Sequence, residues 1–214
     1  MSLDAFQIGC VLVLAIAYAF HLRDRATRAR RAAEVALLAA SGWLGEQSCI
    51  SLYRFYAYAP GWAARAGDVP ALVPLIWPLV VLSARDVARA MWPEMRVARR
   101  AAVVGALVVL DASLMEVVAV AAGLWRWAEP GYLDVPVIGI LGWGAFAVGA
   151  SLALDVAERG PRWLLALPAI ALPVTHAILL ALWWGALRWV GRGDLGPWAI
   201  AGFAALPAAI SAGV

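Results

Sequence analysis

Three carboxyls and one imidazole, Glu46, Asp111, Glu116 and His176, fall inside long runs of apolar side chains in a chain of 214 residues. An ionisable group in such a run is either hydrogen-bonded across helices as part of the packing or kept for chemistry. A carboxyl held neutral away from water can act as a general acid at neutral pH, and a second carboxyl beside it can act as the base. Two aromatic stretches accompany the acids, Tyr53–Tyr58 and Gly123–Tyr132. Their Tyr56, Tyr58, Trp125, Trp127 and Tyr132 form either an interfacial belt or ring faces that stabilise a cation and grip a flat unsaturated chain. His176 is either a satisfied core histidine or a further wall of the same site. There is no His-x-x-His, no Glu-x-x-His and no glycine-rich phosphate loop, so the sequence predicts neither a metal nor another cofactor.

The elements that must position these groups are membrane helices. Hydrophobic residues make up 64% of the chain and charged ones 14%, with a mean hydropathy of +0.82. Runs of ~20 apolar residues match the hydrocarbon layer, and in lipid a helix satisfies its own backbone. The runs lack the two-residue alternation of barrel strands. The expected fold is all-α: a polytopic bundle of about seven transmembrane helices in one domain, residues 1–214, without an internal repeat. The expected spans are roughly 5–22, 32–52, 70–90, 101–123, 136–156, 163–187 and 195–213. The first run reads as a span and not as a cleavable leader. Pro74, Pro78, Pro168, Pro173 and Pro207 should kink or interrupt their helices. Cys10 and Cys49 stand apart from any CxxC pair and read as small buried hydrophobes, although a disulfide between them is conceivable.

All 17 basic residues are arginines, and against 14 acids they leave a net charge of +3. They collect in alternate loops and not on one face, which argues for a topology signal and against nucleic-acid binding. The loops holding Arg23–Arg31, Arg96–Arg100 and Arg159–Arg162 should be cytoplasmic. That places the N-terminus outside a cell membrane and the C-terminus inside. Trp62, Trp92, Trp163, Trp189 and Trp198 fit the interfaces of that frame. At 1.5 Å per residue, Glu46 and Glu116 share a depth about 9 Å below the outer surface, with Asp111 and His176 nearer the midplane. Asp111 and Glu116 are ~140° apart around one helix, so both cannot face one spot.

The segment Glu116, Gly123, Trp125, Trp127, Glu129, Pro130, Gly131, Tyr132, Val135, Pro136, Gly142, Trp143 resembles the hallmark of the carotenoid biosynthesis membrane family. That family includes carotenoid 1,2-hydratases. Tyr56-x-Tyr58, Val69-Pro70, Pro74 and Trp77 resemble a second stretch of it, and together the likeness covers residues 42–156. The family's Thr-Gly-x-Pro-Phe-Gly is replaced by Ser48–Tyr53, and its Asn-Phe by Ile140-Leu141. The resemblance implies a hydrophobic polyene or isoprenoid substrate and acid-catalysed addition of water to a terminal double bond. It further implies Asp111 or Glu116 as proton donor and Glu46 as the base that positions water. Tyr56, Tyr58, Trp125, Trp127, Tyr132 and His176 are then the substrate contacts. A membrane terpene or carotenoid cyclase using the same proton donor, and a non-enzymatic lipid or carotenoid carrier, are the alternatives.

Overall fold

The structure, a computed structural model, describes residues 3–129 and 131–181. Six α-helices run through these residues: α1 Leu3–His21, α2 Arg28–Ser48, α3 Leu72–Met91, α4 Val97–Ala121, α5 Val137–Ala157 and α6 Ala166–Leu180. A π-helical turn, Cys49–Tyr53, extends α2, and a 3-10 turn, Pro161–Leu165, leads into α6. Each of the first six expected spans therefore has a helix. The seventh, 195–213, lies outside the described residues, as do Trp189, Trp198 and Pro207. Four of the helical stretches, Leu3–His21, Val97–Ala121, Val137–Ala157 and Arg162–Leu180, are long and apolar enough to cross a membrane. The other two carry more charge: Arg28, Arg30, Arg31, Glu34 and Glu46 on α2, and Arg85, Asp86 and Arg89 on α3.

The core lies among α2, α3, α4, α5 and α6. Leu38, Val81, Leu82, Val104, Val108, Leu154 and Leu167 are fully buried there. The tight partners are α4 with α5 and α5 with α6. Gly105 and Gly144 let α4 and α5 approach until a Cβ on either would meet the other's carbonyl at 3.1–3.2 Å, the close packing that small residues permit between membrane helices. By contrast α1 sits at the periphery, with Ile8, Val11, Leu12, Val13 and Ile16 exposed. Tyr18 anchors it by donating to the Leu75 carbonyl. Pro74 and Pro168 fall in the first turns of α3 and α6, where the missing N–H has no helical acceptor to lose. Among the described residues, Pro78 and Pro173 are the interior ones. Both cysteines are free, with Cys49 buried.

Helix ends decide what happens next. At one end of the bundle an ionic cluster joins three helices. Asp155 of α5 accepts from Arg85 of α3 and, at 2.8 Å, from Arg100 of α4. Glu158 accepts from Arg85 at 2.9 Å and from Arg89. At the other end, α2 and α4 give way to two short strands, β1 Tyr56–Tyr58 and β4 Trp125–Trp127, which pair antiparallel. A smaller hairpin, β2 Arg65–Ala66 with β3 Val69–Pro70, precedes α3. It is stapled to α2 by Trp43 Nε1 on the Ala66 carbonyl (2.9 Å) and by Gln47, which accepts from the Asp68 N–H at 2.9 Å. Asp155→Asn leaves Arg85 and Arg100 buried without their shared counter-charge. We expect a loss of roughly 3–5 kcal/mol, read as a lowered unfolding midpoint in detergent. The exposed Glu94→Gln change should stay within about 0.5 kcal/mol.

Candidate active site

The exits of α2 and α4 shape the site. Helix α4 ends in a Schellman motif: Gly123, at φ 71°, donates to the Val120 carbonyl at 2.9 Å, and Leu124 donates to Ala119 at 3.0 Å. Glycine takes this left-handed conformation without the steric penalty of a side chain. In α2 the same left-handed step falls on Arg54, at φ 53°. Each step lies two residues before its strand. The ribbon between the strands is held by register pairs Tyr56 with Trp127, Ala57 with Arg126, and Tyr58 with Trp125. Because side chains alternate across a strand, Ala57 and Arg126 face outward and are exposed. Tyr56, Tyr58, Trp125 and Trp127 face the helices.

These four inward side chains land on two buried carboxyls. Glu46 is 9% exposed and Glu116 2%. Glu46 Oε2 accepts from the hydroxyls of Tyr56 and, at 2.8 Å, of Tyr58; its Oε1 accepts from Trp77 Nε1 at 3.0 Å. Glu116 Oε2 accepts from Trp125 Nε1 at 2.9 Å and Trp127 Nε1 at 3.1 Å; its Oε1 accepts from Trp143 Nε1 at 2.7 Å. Burial and the adjacent Glu46 push the Tyr56 and Tyr58 phenols well above their usual range, so both remain protonated donors. The two carboxyls line one cavity of about 60 Å³, with walls from Trp77, Trp143, Phe55 and Phe146. At ~10–15 Å³ per water on such a measure, the space holds a few waters or the end of a branched chain.

The two half-sites have the same parts in the same order. In each, a helix carries the glutamate, a strand supplies an aromatic-x-aromatic pair to one oxygen, and the next helix supplies an indole to the other. The sequence repeats accordingly: Tyr58-Ala59-Pro60-Gly61-Trp62 against Trp127-Ala128-Glu129-Pro130-Gly131-Tyr132. Asp68-Val69-Pro70 and Asp134-Val135-Pro136 each stand seven residues, proline to indole, ahead of Trp77 and Trp143. An antiparallel pair has a local two-fold axis. Here it exchanges Tyr56 with Trp125 and Tyr58 with Trp127. Glu46 lies ten residues before Tyr56, and Glu116 nine before Trp125. The π-helical turn Cys49–Tyr53 absorbs the extra residue, as such turns do. The expectation of no internal repeat is thus corrected. The repeat hides because phenols stand in one copy where indoles stand in the other, and the intervening loops differ in length.

Of the residues expected from sequence, Glu46, Glu116, Tyr56, Tyr58, Trp125 and Trp127 come together. The other three do not reach the cavity. Asp111 lies on the exposed face of α4, beside Leu110, Leu114 and Met115, because the ~140° offset that brings Glu116 inward turns Asp111 away. Tyr132 is 48% exposed in the turn that closes on Val135. His176 touches α2 and its π turn instead of the cavity. Its Nε2 lies 2.9 Å from Ser48 Oγ and its Nδ1 2.9 Å from the Tyr53 hydroxyl. Ser48 already donates to the Gly45 carbonyl at 2.9 Å. The Ser48 oxygen therefore accepts from Nε2–H, and Nδ1 accepts from Tyr53, which fixes the neutral tautomer. Trp62, expected at an interface, is buried and donates to the Leu124 carbonyl at 3.3 Å.

Sequence reading missed Trp77 and Trp143 as ligands of the acids. A usable signal was there: an indole N–H inside an apolar helix needs an acceptor. The reach of Trp77 and of Trp127 to the acids depends on glycines. A Cβ on Gly42 would lie 2.6 Å from Trp77 Cδ1, and one on Gly139 would overlap the Trp127 ring.

A family model described as carotenoid biosynthesis protein matches residues 6–207. The chain belongs to that family. Its role is therefore in carotenoid metabolism, and the apolar helices fit a hydrophobic substrate and a lipid surround. No curated protein and no solved structure matches the chain. Trp143→Phe keeps the ring but strips Glu116 of one of its three donors. We expect a loss of roughly 1–3 kcal/mol in detergent unfolding, with a smaller change for Trp163→Phe, which is partly exposed at the far end.

Proposed function

We propose that the chain hydrates a terminal isoprene double bond of a carotenoid, with Glu116 as proton donor and Glu46 as base. The observation that carries this reading is the difference between the donors around two otherwise matching carboxyls. All three partners of Glu116 are indole N–H groups, which donate and cannot accept. A proton on Glu116 therefore has no acceptor among them and faces the cavity. Once it leaves, three N–H bonds stabilise the carboxylate left behind. Glu46 is held by two phenols, which can both give and take a hydrogen bond. That suits a group that orients water and receives its proton.

The steps balance. The proton of Glu116 bonds to the less substituted alkene carbon, and the π electrons leave a tertiary cation on the other. The indole and phenol faces of Trp125, Trp127 and Tyr56 flank that cation. Water forms the new C–O bond, and Glu46 takes the proton it sheds. Glu46 then passes that proton through cavity water back to Glu116, so both carboxyls return to their starting states and the net change is addition of one water. The aromatic walls also favour a second reading, proton-initiated cyclisation, in which water is kept from the cation and the product is an isomer of the substrate. Following the arginine asymmetry, we place the ionic cluster at the cytoplasmic face of the cell membrane and the ribbon outside, with the N-terminus outside and the C-terminus inside.

Expression in a host that makes acyclic carotenoids, followed by mass analysis of the pigments, decides between these readings. Hydration adds the mass of water, cyclisation adds nothing, and a carrier leaves the pigments unchanged. Glu116→Gln should abolish product, a loss on the order of 10²-fold or more for a general acid. In deuterated water Glu46→Gln should still exchange hydrogen into the terminal unit while losing hydration, because protonation survives and water capture does not. Asp111→Asn should retain product. Full activity in Glu116→Gln would sink the acid assignment.

A further inference from the structure

A tertiary cation is captured by a water that turns a lone pair toward it, and a water does so when both of its hydrogens are held elsewhere. The hydration reading assigns one of those hydrogens to Glu46, which removes it. The other stays on the product as the hydroxyl hydrogen. It too needs an acceptor inside a cavity of about 60 Å³, because a hydrogen-bonding group left unpaired away from water is costly. Most of the polar wall cannot provide one.

Trp77, Trp125, Trp127 and Trp143 line the cavity, and an indole N–H donates without accepting. Glu116 already takes three N–H groups on its two oxygens. The Tyr56 and Tyr58 hydroxyls donate to Glu46 Oε2, so their oxygens belong to that carboxyl's own shell. One water bonds two acceptors well when they stand about 4–5 Å apart, and the Tyr58 oxygen stands 2.8 Å from Oε2. Cys49 lines the cavity too, but a thiol is a weak acceptor. Among the described residues that line the cavity, Thr175 supplies the remaining hydroxyl.

Thr175 is 4% exposed, on the buried face of α6. Its hydroxyl donates to the Ala171 carbonyl at 2.6 Å, so the hydrogen is committed and lone pairs are what remain to offer. Its neighbours set it level with Glu46. Leu172 of α6 is the side chain nearest to Gly45 of α2, 3.7 Å from where a Cβ there would lie, and His176 Nε2 lies 2.9 Å from Ser48 Oγ. Thr175 falls between those two contacts on α6, as Glu46 falls between them on α2, and both residues line the same cavity. We propose that Thr175 is the second acceptor for the attacking water: its oxygen holds the hydrogen that the water keeps, while Glu46 takes the one it loses. The water's lone pair then points at the cation and forms the C–O bond. Thr175 neither gains nor loses a proton, so it is a positioning residue and not an acid or a base. The inference rests on the hydration reading and adds to it the group that orients the water.

The test supplies lycopene, an acyclic carotenoid, to membranes that hold the protein in deuterated water, and reads two fates of one cation from the same sample. Capture by water gives hydrated pigment. Loss of a proton gives back unhydrated pigment that carries deuterium. Thr175→Val keeps the shape of the side chain and removes the acceptor. The ratio of hydrated to deuterated unhydrated pigment should fall roughly three- to tenfold, the worth of one hydrogen bond, and Thr175→Ser should restore it. A role in packing alone would lower both products together and leave their ratio as it was. An unchanged ratio in Thr175→Val, whether or not both products fall, would overturn the role of Thr175 and leave the hydration reading intact. A serine variant with a ratio as low as the valine variant's would do the same. A wild type that adds no water to lycopene would overturn the hydration reading and this role with it.

Discussion

A carboxyl buried away from water must find its hydrogen-bond partners inside the protein, and here each of two finds three. That constraint organises everything at the ribbon end of the bundle. Glu46 and Glu116 sit on different helices, and their partners come from two strands and two further helices. A buried polar network that is fully satisfied fixes the elements that contribute to it, whereas one left half-satisfied is costly. The ribbon is only three residue pairs long, too short to be stable alone. Its inward face is held by the carboxyls it serves, and they in turn are held by it.

A pseudo-two-fold correspondence organises this network within one chain. Two copies of a helix–strand–helix unit, joined through an antiparallel ribbon, present two glutamates to a shared cavity with their donors in matching order. The halves then differ in the donors that surround their carboxyls. Indoles around Glu116 donate only, and phenols around Glu46 can do both. The far end of the bundle has a separate task. The Arg85, Arg100 and Asp155 cluster ties α3, α4 and α5 together and has no counterpart role in the cavity.

Much of the helical framework was legible beforehand, because lipid leaves a chain few ways to satisfy its backbone and the apolar runs have the length of spans. The expected span at 32–52 even ran into the π-helical turn after α2. The depth argument placed Glu46 and Glu116 at one level, and the structure brings both to one cavity. It failed for Asp111 because depth carries no azimuth, and a shift of five residues reverses the face. Tyr132 was drawn in by its motif, yet the motif continues into an exposed turn. His176 was polar and central, but the hydroxyls of Ser48 on α2 and Tyr53 on its π-helical extension satisfy it.

What the sequence determined by itself was composition and period: apolar runs that must be helices in lipid, the arginine-rich loops, and the aromatic-x-aromatic segments whose two-residue alternation gives one inward face. Those properties depend only on neighbours along the chain. The tertiary structure decided which donors reach which acid, that Trp77 and Trp143 complete the two shells, and that the chain contains two copies of one unit. Those facts depend on strand register and helix azimuth across segments tens of residues apart. Local propensity does not set such relations, and here they follow from the need of two buried carboxyls for six donors.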